Sequence, residues 1–208
     1  MSEEPPEERR KPRKAQIGIT WDLVIPIRVP VTAGSEAGMM SGTSIQGFSL
    51  ELRYWLKDRI ALGALVAWHT FSDKKSRTIG IDDSTQTGLV QTDINSNEIL
   101  ARITHALADR PAIRTRVPKP GEKLDISKQI IPYIGAGLGA TRYLERFDTG
   151  LSVQSKESWY AAIVPEIGIE IPTKLVPVIV AGRLHYFFAS SGNPDQLYAT
   201  FSLGAGFD

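Results

Sequence analysis

The sequence predicts an all-β fold, an up-and-down antiparallel transmembrane β-barrel of about eight strands. Large apolar residues alternate with small or polar residues along most of the chain, which is the period-two pattern of β-strands. Glycine is frequent on the polar face of several of these strands. Long and short connections between the strands alternate, as in barrels with long outer loops and short periplasmic turns.

The composition limits the classes of protein that the chain can represent. A length of 208 residues suits one domain plus a tail. The net charge of +1 gives no case for a nucleic-acid partner. The chain has no cysteine, which excludes disulfides, thiolate catalysis and cysteine metal sites. No stretch approaches the roughly 18 consecutive apolar residues of a membrane-spanning helix.

Residues 1–14 differ in amino-acid composition from the rest of the chain. After the initiator Met1 they are only charged, proline and serine residues, so we expect a disordered charged, Pro-rich N-terminal tail. The β-barrel domain is then residues 15–208. The tail has no apolar core and is not a secretory signal. A location in the outer membrane therefore requires that the signal was removed and Met1 added by cloning.

Four strands are predicted in the first half of the chain. The first runs from Ile17 to Ile27 and carries six large apolar residues on one face. The second and third, 47–56 and 60–69, are joined by a tight connection and form a hairpin. The fourth covers about 95–107, where the segment Asn-Glu-Ile-Leu-Ala-Arg also suits a helix, so both alternatives stay open.

Four more strands are predicted in the second half, at 133–141, 159–171, 178–188 and 197–207. Stretches rich in Gly, Ser, Thr, Asp and Asn are predicted as outer loops at 29–44, 72–94, 145–157 and 189–196. The connection over 108–128 departs from this alternation, because it is long, Pro-rich and basic on the side expected to carry short turns.

The sizes of the residues indicate which face of the barrel points outward. An eight-stranded barrel is narrow, so small residues suit its interior. The glycines of the polar faces are Gly135, Gly137, Gly139, Gly168, Gly204 and Gly206. The apolar faces carry bulky side chains that lipid accepts, and we therefore expect lipid outside. The alternative is a soluble lipocalin-like ligand-binding barrel with its apolar face inward, which would explain the absence of a signal.

Several segments of the second half resemble a known superfamily. They are Ile131-Pro-Tyr-Ile-Gly-Ala-Gly-Leu-Gly-Ala-Thr-Arg-Tyr143, Pro165-Glu-Ile-Gly-Ile-Glu170, Arg183-Leu-His-Tyr-Phe187 and Phe201-Ser-Leu-Gly-Ala-Gly-Phe207. They resemble the C-terminal half of OmpA/OmpW-type outer-membrane β-barrels, closely over about 130–208 and only generally over 16–107. The end of the chain, Phe207-Asp208, departs from the usual terminal aromatic residue. The resemblance implies a Gram-negative outer membrane, lipid contact and a blocked interior.

Charged residues on the predicted inward faces suggest a network in the lumen. They are Asp22, Arg28, Glu51, Arg53, Glu98, Arg102, Glu166, Glu170, Arg183 and His185. We expect them to pair, because an unpaired buried charge is very unfavourable. A plugged lumen would suit a structural, anchoring or loop-mediated interaction role. The alternative is a narrow, porin-like channel for small hydrophobic or ionic solutes.

The sequence predicts no catalytic residues, no metal site and no cofactor. His185 and Ser190 are five residues apart and would face opposite sides of a strand, whereas a nucleophile needs its base within about 3 Å. His69 and His105 are interpreted as too far from each other and from other ligand residues to form a metal site.

Two further groups of residues suggest contacts. The basic connection carries Arg110, Arg114, Arg116, Lys119 and Lys123. These are candidates for contact with an acidic periplasmic partner, anionic lipid or cell-wall polymer, and the outer loops are candidates for a surface protein partner. Aromatic residues predicted to form interfacial girdles are Trp55, Trp68, Tyr143, Trp159, Tyr186, Phe187 and Phe188.

Overall fold

The computed structural model describes residues 15–32, 38–57, 59–81, 84–108, 130–173, 176–188 and 192–207. Eight long strands close into one antiparallel barrel, in the order β1-β10-β9-β8-β7-β6-β5-β4. The strands are β1 (Ala15–Arg28), β2 (Pro30–Val31), β3 (Gly38–Met39), β4 (Ser44–Lys57), β5 (Ile60–Ile81), β6 (Ser84–Ala106), β7 (Ile131–Asp148), β8 (Val153–Ile171), β9 (Val178–Phe187) and β10 (Gln196–Phe207). The short strands β2 and β3 pair with each other between β1 and β4.

This architecture confirms the predicted up-and-down barrel of eight strands. The segment 95–107 is part of β6 and not a helix, because it pairs with β5 on one side and β7 on the other. In the described part of the chain, no helix is long and apolar enough to cross a membrane. The predicted tail 1–14 and nearly all of the connection 108–128, with its five basic residues, lie outside the described residues.

The hairpin of β5 and β6 is longer than the sequence predicts. Residues 72–94 were expected to form a loop, but β5 continues to Ile81 and β6 begins at Ser84. The partner strand β7 leaves β6 at the pair Gln91 and Asp148. Beyond that pair, β6 is paired only with β5 among the described strands. The prediction was wrong because residues 72–94 are rich in Ser, Thr, Asp and Lys and do not alternate with large apolar residues, which was the pattern used to predict strands.

The two faces of the barrel differ in polarity. Alternation along β4 places Ser49, Glu51 and Arg53 inside, and Leu50 and Leu52 outside. The remaining strands repeat the pattern, so that the outward side chains of Ile99, Leu138 and Ile167 are 60–67% exposed. An apolar exterior around a polar interior is the reverse of the arrangement in a soluble barrel.

Candidate functional site

The interior of the barrel holds buried side chains in successive layers along its axis. At the end of the barrel that carries the β4–β5 and β6–β7 connections, here called the lower end, Trp55, Ala61, Ala106 and Ile131 form a buried apolar cluster. Trp55 was predicted at the membrane interface, but it is 6% exposed and faces inward. Tyr143 and Phe187 are also buried inside, so for these three residues the interfacial prediction was wrong. Trp68 and Trp159 are exposed on the outer face.

An ionic layer lies above this cluster and consists of Glu51, Arg53, Arg102, Glu166, Glu170 and Arg183. Glu51 is its centre, because its carboxylate accepts from the guanidinium groups of Arg53 at 2.7 Å, Arg102 at 2.6 Å and also Arg183. Glu166 accepts from Arg102 and, at 2.9 Å, from Nε of Arg183. Each of these six side chains is at most 4% exposed. Charge-assisted bonds of this kind are strong only when every member is paired.

Tyr133 connects the ionic layer to the wall of the barrel. The guanidinium carbon of Arg53 lies 4.6 Å from the centre of the Tyr133 ring, within cation–π distance. The Tyr133 hydroxyl also accepts from Arg53 at 3.1 Å. The ring fits because residue 168 on β8 is glycine, where a Cβ would lie 2.5 Å from the Tyr133 ring and hydroxyl. Glycine on the inner face therefore leaves room for a large side chain.

A histidine layer follows, made of Asp22, His69, Glu98, His185 and Tyr198. Nδ1 of His185 lies 3.0 Å from one oxygen of Glu98, and Nδ1 of His69 lies 3.3 Å from the other. The Tyr198 hydroxyl donates to Glu98 and lies 2.8 Å from Nδ1 of His69. The rings of His185 and Tyr198 stack with their centres 4.4 Å apart. All five side chains are completely buried.

Two contacts hold the outer ends of the histidine rings. Nε2 of His69 lies 3.1 Å from the Asp22 carboxylate, and Nε2 of His185 lies 3.1 Å from the Thr200 hydroxyl. Asp22 is also 3.6 Å from Nη1 of Arg183, which joins the histidine layer to the ionic layer. The polar residues of the two layers therefore form one continuous network.

An aromatic layer closes the interior on the side of the long loops. Its members are Phe71, Tyr143, Tyr160 and Phe187, whose rings contact one another or Tyr198 at centre distances of 5.1–6.0 Å. Val31 in β2 and Met40, which directly follows β3, are buried in the same apolar cluster. The Glu145 carboxylate ties this connection to the barrel by accepting from the backbone N–H of Thr32 at 2.5 Å and from its hydroxyl at 2.8 Å.

Nine of the ten residues predicted for the lumen lie inside the barrel; Arg28 does not. Arg28 is exposed because β1 has an irregularity between Pro26 and Arg28, where its register against β10 shifts. An extra residue in a strand moves the following side chains to the opposite face. The buried face accordingly changes from Val24 to Val29.

Interior residues absent from the predicted set include His69, Glu145 and Tyr198. His69 was interpreted as scattered from other ligands, but its ring centre lies 5.1 Å from that of His185. Its inward position follows from alternation with Trp68, a signal that was present in the sequence. Glu145 was missed because 145–157 was predicted as a loop, whereas β7 continues to Asp148. Ser190, considered beside His185, lies outside the described residues.

Comparisons with known proteins bear on the fold. No protein-family model and no curated protein matches the sequence. Among solved structures, neisserial surface protein A (NspA) of Neisseria matches with a TM-score of 0.51 and 13% identity, covering 93% of this chain and 96% of that one. OprG of Pseudomonas aeruginosa matches with a TM-score of 0.49 and 12% identity, covering 96% of this chain and 98% of that one. Ail of Yersinia pestis, in complex with the heparin analogue sucrose octasulfate, matches with a TM-score of 0.45 and 12% identity, covering 93% of this chain and 97% of that one.

Proposed function

We propose that the chain is a bacterial outer-membrane barrel with a closed interior, whose role is structural, anchoring or carried by its outer loops. The fold that it shares with NspA, an eight-stranded outer-membrane barrel, agrees with the resemblance found in the sequence. The observation that supports the proposal is the reversed polarity of the two faces. Large apolar side chains cover the exterior, and the paired charges of the ionic and histidine layers are buried inside. Lipid is the solvent that makes such an exterior favourable.

An ion pair on the exterior marks one edge of the apolar band. Arg142 and Glu157 form a bidentate pair at 3.0 and 2.8 Å on the outer face, and each side chain is 44% exposed. Trp159, two residues along β8 from Glu157, is 59% exposed. Aromatic and charged residues at this height are typical of the boundary between hydrocarbon and head groups. The direction of the apolar face argues against the soluble lipocalin-like alternative.

A substitution on the exterior tests this proposal. Leu138, 60% exposed near the middle of β7, is replaced by arginine, with Leu151→Arg in the β7–β8 connection as the matched control. In lipid bilayers we expect Leu138→Arg to reduce the free energy of unfolding by about 2–4 kcal/mol and Leu151→Arg to change it little. Heat-modifiable gel migration reports the folded fraction. A wild-type chain that is monodisperse in water without detergent, with both variants equally stable, would contradict the proposal.

The filled interior favours a closed barrel over a conducting channel. The three layers and the lower apolar cluster contribute buried side chains at successive heights. We expect the folded protein to be silent in planar bilayers. A steady conductance that changes when Glu166 or Arg183 is reversed in charge would instead support a narrow channel for small solutes.

The loops and the basic connection 108–128 would then supply the contacts with partners. For that connection we propose an acidic periplasmic partner, anionic lipid or cell-wall polymer, since its five basic residues favour negative surfaces. Replacing Arg110, Arg114 and Arg116 by glutamine should weaken co-sedimentation with anionic vesicles or with isolated cell wall. Unchanged co-sedimentation with both would exclude these two targets.

A further inference from the structure

Three side chains with metal-binding atoms converge inside the barrel from three different strands. They are His69 on β5, Glu98 on β6 and His185 on β9. One ligand atom from each lies within 4.8 Å of the others, and all three residues are buried. A fourth candidate ligand atom, the hydroxyl oxygen of Tyr198 on β10, lies 2.8 Å from Nδ1 of His69.

The separations between these atoms suit a single ion. In a tetrahedral zinc site with bonds of 2.0–2.1 Å, neighbouring ligand atoms are about 3.4 Å apart. Nδ1 of His69 lies 3.3 Å from Oε1 of Glu98, and Nδ1 of His185 lies 3.0 Å from Oε2, so the two imidazoles approach the same carboxylate through different oxygens. Small side-chain movements would therefore place an ion between them. Two imidazoles and a carboxylate are a donor set that Zn²⁺ accepts.

The surroundings orient both imidazoles toward Glu98. Nε2 of His69 is held by the Asp22 carboxylate, and Nε2 of His185 is held by the Thr200 hydroxyl. Metal-ligating histidines usually bind a carboxylate or another polar group through their second nitrogen, which fixes the ring and leaves the first nitrogen for the metal. Both rings show that arrangement here, with Nδ1 facing the carboxylate.

The charges of the interior also favour a cation at this point. In the ionic and histidine layers, three guanidinium groups accompany five carboxylates, so two negative charges remain before the imidazoles are counted. A divalent ion bound by two neutral imidazoles would balance them. Two protons on the imidazoles would balance them as well, and metal binding would release those protons.

We propose that the barrel binds one divalent first-row transition-metal ion through Nδ1 of His69, Nδ1 of His185, the Glu98 carboxylate and the Tyr198 hydroxyl. Arg183 lies below this site and Phe71 and Phe187 lie above it. The ion would join strands β5, β6, β9 and β10 from within. Because the site is enclosed, the ion would be taken up as the barrel closes and exchanged slowly afterwards.

Zinc retention after refolding tests the site. The full chain without a histidine tag is refolded in detergent with one equivalent of ZnCl₂, desalted and analysed for zinc by mass spectrometry. We expect about one zinc per folded chain. The double variant His69→Gln/His185→Gln should retain less than about a tenth of that amount, because imidazole nitrogens supply two of the ligands. His105→Gln is the matched control, since His105 is the remaining histidine of the chain and is exposed on the outer face.

Folding and coordination are checked in the same samples. Heat-modifiable migration shows whether each variant has folded, and refolding with Co²⁺ gives a visible absorption band typical of tetrahedral coordination. If the double variant does not fold, Tyr198→Phe and Glu98→Gln take its place and should weaken the band. Folded wild type that retains no zinc would overturn the proposal, as would zinc retention that is equal in wild type and in the folded ligand variants.

Discussion

The ionic layer and the aromatic layer fill the same barrel with opposite chemistry. In the ionic layer, Glu51 is shared by three guanidinium groups, and removing one partner leaves an excess of buried charge of one sign. In the aromatic layer, the rings of Phe71 and Phe187 each contact the ring of Tyr198, and these apolar contacts involve no paired charges. The ionic layer therefore depends on the pairing of its charges, whereas the aromatic layer depends on the volume that its side chains fill.

The largest expected effect is the loss of the central carboxylate. Glu51→Gln removes the negative charge between Arg53, Arg102 and Arg183. The free energy of unfolding should fall by about 3–5 kcal/mol, because three buried guanidinium groups then share only two carboxylates in the ionic layer. Urea unfolding in lipid vesicles measures this. Glu157→Gln on the outer face is the control and should have little effect. Equal losses for the two variants would show that the ionic layer is hydrated and not a closed plug.

A cavity in the aromatic layer should have a smaller effect. Ile94 is completely buried in the apolar cluster that includes this layer, and Ile94→Ala should reduce the free energy of unfolding by about 2 kcal/mol. We expect a loss of stability at the lower end of the range for such substitutions, because the connection with Val31 and Met40 can move toward the cavity that Ile94→Ala leaves. Ile99→Ala, on the outer face of the same strand, is the control and leaves no enclosed cavity. If Ile94→Ala and Glu51→Gln reduce the free energy of unfolding equally, the two layers do not differ in their tolerance of substitution.

Local alternation explains how much of this interior could be predicted. Within one strand, a period of two places Glu51 and Arg53 on the inner face whatever the neighbouring strands do. The prediction that Arg28 lies in the lumen was wrong, because the irregularity that turns its side chain outward is a property of the pairing between β1 and β10. The long β5–β6 hairpin was missed because the sequence over 72–94 does not alternate polar with large apolar residues, and this alternation was the signal used.

The meeting of His69, Glu98 and His185 could not be predicted from local pattern. These residues lie on β5, β6 and β9, and β9 is separated from the other two by β7 and β8 around the barrel. Which inward side chains share a height depends on the stagger of the strands when the barrel closes. Single-strand alternation gives the inward direction of each residue but not this stagger.

The connection between β1 and β4 provides a smaller test of the upper half. Glu145→Ala removes the acceptor for the backbone N–H and hydroxyl of Thr32. Loss of bonds to a charged acceptor should favour local opening by about 1.5 kcal/mol, seen as roughly tenfold faster hydrogen exchange at the Thr32 amide. Global stability should change less than in Ile94→Ala. Unchanged exchange would mean that packing of Val31 and Met40 holds the connection without Glu145.

The smallest effect is expected where the same chemical pair lies on the outer face. Arg142 and Glu157 form a bidentate pair, as favourable in geometry as the contacts of Arg102 with Glu51, but each side chain is 44% exposed. Exposed pairs are screened by water and salt, so Arg142→Gln should leave the urea midpoint unchanged within error at moderate ionic strength. Arg102→Gln, measured alongside, should lower it clearly, because Glu51 and Glu166 each lose one of their buried cationic partners in the closed interior. A large effect of Arg142→Gln that persists at high salt would place this pair within the hydrocarbon, and the apolar band would then extend further along β7 and β8.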